Sequence, residues 1–204
     1  MNKGQLRSHM LALLNRSDCT DALANTFLDQ AIGRIRRTLR IPSMERQQTY
    51  AVASLGGLQS IVLPADLLET MDIYYDGDAL VRLPLHEMLA NQKTGEIGSP
   101  RFFTREQGIF RLFPMPSTGT VYLNYYSELA DLVDDADTNA FSIIASDCVI
   151  YTALGYASDY FLDERGPLFD SKASAFIAEI QDQADTAEQS GGTQVMRPTH
   201  TFSD

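Results

Sequence analysis

The chain has 204 residues, 44% of them hydrophobic, and sixteen Lys and Arg against twenty-seven Asp and Glu give it a net charge of −11. That apolar content suits a packed globular domain with room for an insertion and is too high for an acidic disordered chain. No run approaches the ~18 apolar residues of a membrane span, and the N-terminus lacks the apolar core of a signal peptide, so the expectation is a cytosolic product with no membrane contact.

The charge is unevenly placed. Residues 1–48 hold eight basic and four acidic side chains, for +4, and residues 49–204 hold eight and twenty-three, for −15. So acidic a chain repels phosphate backbones, which argues against tight nucleic-acid binding. Cys19 and Cys148 stand far apart with no second Cys or His at ligand spacing, so neither a disulfide framework nor a zinc site is indicated. Small core residues are the simpler reading.

In chain order, Leu6, Met10, Leu13 and Leu14 recur at helical spacing and predict a first helix over 3–14, broken at residues 15–18. Thr20 or Asp21 then caps a second helix with Phe27, Leu28, Ala31, Ile32, Ile35 and Leu39 on one face, stopped by Pro42. Arg36, Arg37 and Arg40 fall on its opposite face and Arg34 at the edge. Beyond Pro42 the period shortens to two. Alternation around Tyr50 and Val52, a turn at Gly56-Gly57 and an extended run at 61–63 come first. Next come two strands around Asp76-Gly77-Asp78, a short helical stretch over 84–91, and a hairpin turning at 106–108. Residues 120–127 (TVYLNYYS) form a strong strand by composition. An acidic connector, 128–137, ends at the start signal Thr138-Asn139. The helix predicted from Phe141 to Leu162 is apolar nearly all round, so it needs cover on nearly all sides and leaves room for a neighbouring subunit. A last helix carrying Phe169, Phe176, Ile177 and Ile180 turns polar toward Gln189, and the remainder has no periodicity.

The predicted fold class is therefore α+β. Residues 1–48 give two N-terminal helices and residues 128–189 two C-terminal helices of one bundle; residues 49–127 form an inserted antiparallel β module, and 190–204 a flexible C-terminal tail.

Catalytic material is thin. His9, His86 and His200 have no partner in a nucleophile motif and read as ordinary surface or packing residues; His86-Glu87 is not an H-E-x-x-H site, because Ala90 occupies the second histidine's position. No phosphate-binding glycine loop occurs, and no cofactor or metal is implied. Asp131, Asp134, Asp135 and Asp137 crowd the connector. A glycan hydrolase needs two carboxylates with separated protonation behaviour across a bond, whereas a solvated acidic segment before a helix N-terminus explains the crowding more simply. Arg34, Arg36, Arg37 and Arg40 stabilise a helix C-terminus and also suit an acidic partner, such as the acidic half of another copy in a head-to-tail contact that closes a ring. Val195, Met196, Arg197 and Phe202 are candidate anchors in the tail, which spans up to ~46 Å at ~3.3 Å per residue.

Six short motifs carry further information through their order: Leu63-Pro64-Ala65-Asp66-Leu67-Leu68-Glu69, Gly98-Ser99-Pro100-Arg101-Phe102-Phe103, Phe113-Pro114-Met115-Pro116, Leu123-Asn124-Tyr125-Tyr126, Thr138-Asn139, and Tyr160-Phe161-Leu162-Asp163 at the end of the long helix. Their order and spacing over roughly residues 20–190 resemble the head-to-tail adaptor proteins of short-tailed bacteriophages. The resemblance implies a non-enzymatic virion protein of the neck, assembled in the host cytoplasm. It implies a dodecameric ring below the portal protein, with tail nozzle or fibre proteins attached beneath and DNA only as passing cargo. The C-terminal extension would be the element that reaches the portal, and Asp131, Asp134, Asp135 and Asp137 would contribute to an acidic lumen that lets DNA pass without sticking. A carboxylate-dependent cell-wall hydrolase and a generic binding module are the rival readings.

Overall fold

The computed structural model describes residues 1–52, 60–91 and 96–189. It is a mixed α+β protein with six α-helices and two four-stranded sheets among those residues. The chain divides into two compact units, one of residues 1–42 with the chain from 130 onward, the other Ser43–Leu129. The Gly56-Gly57 turn and the 190–204 tail lie outside the described residues.

In the first unit, α1 (Lys3–Leu14) opens with a capping box between Asn2 and Gln5 and closes at Asn15, whose φ of 54° is left-handed. Thr20 caps α2 (Asp21–Thr38) by accepting from the Leu23 amide. All six apolar positions expected on its inner face are buried. The single helix expected from Phe141 is two. Asn139 and Ser142 cap α4 (Ala140–Ile144), Ala145 leaves helical geometry at φ −122°, ψ 34°, and α5 (Ser146–Phe161) starts afresh. With α6 (Gly166–Gln189), the C-terminal half thus has three helices where two were expected. The turn before α6 is held by Asp163, which accepts from the Arg165 amide.

Helix α5 packs against α1, α2 and α6 of the same chain. Its Cys148, Val149, Ala153, Leu154 and Ala157 are fully enclosed. Much of the cover for this helix is therefore supplied within the chain, each large aliphatic side chain so buried contributing roughly 1.5–3 kcal/mol, whereas Ile143, Ile144, Tyr160 and Leu162 of the same apolar run stay exposed. Gly155 permits one close approach: a Cβ there would stand 3.0 Å from Oδ1 of Asp170 on α6.

The second unit is a β-sandwich. A turn of 3₁₀ helix (Pro42–Met44) leads into β1 (Glu45–Ala51), so extended structure begins ahead of residue 49. The other strands are β2 (Ser60–Val62), β3 (Leu67–Tyr75), β4 (Asp78–Ala79), β5 (Val81–Arg82), β6 (Phe102–Glu106), β7 (Ile109–Phe113) and β8 (Thr120–Ser127), with α3 (Leu85–Asn91) between β5 and β6. One sheet has the order β1-β8-β3-β4 and the other β2-β7-β6-β5. Asp76 and Gly77, at φ 48° and 101°, make the β3–β4 hairpin turn that the Asp-Gly-Asp sequence predicted. The strand after it does not continue in the same sheet: β5 crosses to the second sheet and pairs parallel with β6, so the module is not wholly antiparallel. Inward residues of both sheets, including Ile61, Ile73, Phe103, Phe110, Leu112, Val121 and Leu123, form one core. Phe103 and Phe110 meet edge to face at 5.3 Å.

Strand β1 is the outer strand of its sheet. It pairs with β8 from Glu45↔Tyr126 to Ala51↔Thr120, and the amide of Val52 continues the ladder by donating to the Gly119 carbonyl. Since backbone groups alternate in direction along a strand, Arg46, Gln48 and Tyr50 turn theirs toward β8, and Glu45, Gln47, Thr49 and Ala51 turn theirs away.

Candidate assembly interface

The helical unit contains a charged seam that ties the acidic connector to α1 and α2. Buried positions of α1 follow Lys3, Leu6, Met10 and Leu14, so a lysine occupies a core position in the apolar pattern. Its ammonium, in a residue only 6% exposed, donates to the Leu132 carbonyl at 2.6 Å and to Asp29 Oδ1 at 3.4 Å. One turn on, Arg7 grips Asp135 with two parallel bonds of 2.7 and 2.6 Å. The first amides of a helix lack intrahelical acceptors. Here the Lys3 amide donates to the Asp137 carbonyl and the Gly4 amide to that of Asp135. Glycine suits that place, because a Cβ on residue 4 would come within 3.3 Å of Asp135 Cβ. The Arg7 hydrogen bond holds the Asp135 carboxyl below the usual carboxylate range.

The expected arginine cluster is dispersed by function. Arg36 bonds Asp131, and Arg34 bonds Asp170 at 3.1 Å, both acids of the same chain. Arg40 donates to the carbonyls of Arg36 and Leu39, satisfying the end of α2. Arg37 is exposed and makes no ion pair among the described residues. Among the described residues, the basic and acidic regions therefore meet within one chain at Arg34 and Arg36. Of the four connector acids, Asp131 and Asp135 face arginines, Asp137 accepts from the amides of Val133 and Asp134, and Asp134 is exposed. Val195, Met196, Arg197 and Phe202 lie outside the described residues.

Sequence reasoning missed Lys3, Arg7 and the Asp163–Arg165 pair. The signal for Lys3 was its place in the apolar period of α1. Arg165 donates to the carbonyls of Leu13 and Leu14 at 3.3 and 2.9 Å, so it closes the end of α1, and Asp163 orients it. That hydrogen bond holds the Asp163 carboxyl at about 2. Both cysteines are buried thiols, and burial pushes Cys148 up to about 11.

Two clefts flank the seam. One, of about 420 Å³, is bounded by Lys3, Asp29, Ile32, Arg36, Asp131 and Val133. Its two carboxylates each face a cation, Lys3 or Arg36, which is not the split pair that glycoside hydrolysis requires. The other runs along the first turns of α1 past Arg7, His9 and Asp135. No three metal-ligating side chains gather among the described residues, and no helix there is long and apolar enough to cross a membrane.

The paired charges of the helical unit thus hold its own elements together. The chain is of the phage head-to-tail adaptor class. It belongs to the SU10 adaptor protein family, whose model matches residues 1–201, in agreement with the resemblance of its ordered motifs. An adaptor family is a family of structural proteins. No curated protein matches the chain.

Proposed function

We propose that this adaptor forms a ring in the virion neck, between the portal and the tail proteins, with a central passage for DNA. The observation that carries the reading is the family match over residues 1–201. The ring is dodecameric on the resemblance, and the C-terminal extension, with Val195, Met196, Arg197 and Phe202, contributes to the contacts among copies or with the portal. Arg37, exposed and free of ion pairs among the described residues, is the member of the arginine cluster best suited to another chain; Arg34, Arg36 and Arg40 act mainly within their own.

The passage is lined in part by acid. Asp134 suits this role best, since it is exposed and makes no ion pair among the described residues, whereas Asp131 and Asp135 are largely compensated by their arginines. Exposed Glu179, Asp182 and Asp185 on α6 add to the same field. Like-charged walls repel the duplex and keep it from adhering. The test is the mass of the full chain in solution, alone and co-expressed with its portal. Recovery of the chain in a ring-sized complex supports the reading, and a chain that stays monomeric and does not join the portal overturns it.

A further inference from the structure

Three unpaired arginines gather at one margin of the sandwich. Arg82 on β5 stands opposite Phe103 on β6, and Arg101 and Arg105 lie two residues to either side of Phe103. Arg101 is already in the ladder, since its amide donates to the Phe113 carbonyl and its carbonyl accepts from the Val81 amide. Side chains alternate along a strand, so all three arginines belong to the same side of the sheet, with Arg101 and Arg105 each about 8 Å from Arg82 at Cα. That side faces the core, but β5 is the last strand of its sheet and the facing sheet ends in β4, only two residues long, so all three arginines are exposed. None makes an ion pair among the described residues, in a chain of net charge −11.

The outer face of the other sheet carries the opposite charge. Register places Glu45, Tyr126 and Glu69 in one row across β1, β8 and β3, then Gln47, Asn124 and Asp72, then Thr49, Tyr122 and Tyr74. Among the described residues, no paired position of that face holds a lysine or arginine; Arg46, close by, stands opposite the buried Tyr125 and so belongs to the inner side. Three exposed carboxylates therefore border three half-buried tyrosines. Glu69 lies about 10 Å from Glu45 and about 7 Å from Asp72 at Cα. Glu45 and Asp72 make no ion pair among the described residues. The Gln47 side-chain amide donates to Asn124 Oδ1 at 2.9 Å, which fixes the middle of the face.

We infer that the margin formed by Arg82, Arg101 and Arg105 of one copy docks on the acidic tyrosine face of the next copy. The inference rests on the ring reading and names the surfaces that meet. The two triads match in number and spacing and are opposite in sign, and arginine is the cation that both pairs with carboxylates and stacks on tyrosine rings. Margin against margin, or face against face, brings like charges together. The favoured contact therefore joins two different surfaces of the same module, which is the heterologous kind that closes a ring. Duplex DNA is the other polyanion that arginines could meet. Against it stand the negative field of the chain and the presence of only three cations on the patch.

Charge reversal in full-length chains co-expressed with the portal tests this. Arg82→Glu with Arg105→Glu makes the margin acidic, and Glu45→Arg with Asp72→Arg makes the face basic. All four sites are exposed, so circular dichroism and the urea midpoint should stay at wild-type values. Each double variant alone meets like charge at every contact, and is expected to lower the ring-sized fraction in sedimentation about tenfold or more at low salt. Co-expressed together, the two variants are complementary at every contact of an alternating, even-numbered ring. Assembly is then expected to return, with the two chains in equal number by intact mass, whereas a charge pair inside one chain would not be restored by mixing. Undiminished assembly of either variant alone, or a loss in both that mixing does not restore, overturns the inference and leaves the ring reading standing. Retention of duplex DNA by the wild type that is abolished by Arg82→Glu with Arg105→Glu, while assembly is unchanged, overturns it in favour of a nucleic acid. Failure of the wild type to assemble overturns the ring reading, and this inference with it.

Discussion

Lys3→Met removes the ammonium at the centre of the charged seam while keeping a side chain of similar length and an apolar stem. The Leu132 carbonyl then loses its 2.6 Å donor in a buried place. A lost hydrogen bond from a charged group costs roughly 1.5–3 kcal/mol. The Asp29 carboxylate, 60% exposed, stays hydrated, so the ~3–5 kcal/mol of stranding a buried charge does not arise. The buried thioether returns part of the loss, which leaves a net destabilisation of about 1–2 kcal/mol, or a few degrees in Tm at this chain length. Thermal and urea unfolding followed by circular dichroism measure the total. Hydrogen exchange locates it: the amides of Asp134 and Asp137, whose acceptors lie in the connector itself, are expected to exchange faster, while the core amides of α5 keep their order of protection. A variant as stable as the wild type, with unchanged exchange in the connector, would refute the claim that Lys3 holds this segment to α1.

Three further outcomes follow from the same geometry. Asp163, held at about 2 by Arg165, has a depressed folded-state pKa, so its stabilisation is complete above the ordinary carboxylate pKa near 3.8 and is lost as pH falls toward 2; nuclear magnetic resonance titration should place its midpoint near 2, and Arg165→Gln should return it toward the ordinary value. Gly119→Ala should destabilise the sandwich by about 1–3 kcal/mol in urea unfolding, because residue 119 has φ 93° and its Cβ would lie 2.4 Å from Asp76 Oδ2. Arg37→Glu should change stability by no more than about 0.5 kcal/mol, as expected of an exposed residue, yet weaken assembly in sedimentation more at low salt than at high salt.

Local signals carried much of the fold. The apolar face of α2, the Asp76-Gly77 turn and the composition of residues 120–127 each depend on neighbours in sequence, and each formed as expected. Non-local pairings were not legible. Strand β1 is polar from Glu45 to Thr49 and exposed at six of its seven positions, so only the alternation around Tyr50, at its end, hinted at a strand; β8 defines the rest from across the module. The break between α4 and α5 was hidden because Ala145 is a good helix former and the apolar pattern runs through it. At the candidate interface, the charge asymmetry between the first 48 residues and the rest was visible. Its use was not, because an ion pair such as Arg7 with Asp135 joins residues far apart in the chain. The same count of charges is compatible with copies meeting copies and with a chain holding itself together, and the ion pairs of Arg34 and Arg36 serve the second use.

The most direct test of the central claim is the mass of the intact chain, measured by light scattering on material purified alone and on material co-expressed with the portal protein of the same phage. The account predicts a single ring-sized complex of many copies bound to the portal, weakened in Arg37→Glu. A chain that remains monomeric in both preparations and does not co-purify with the portal would contradict it.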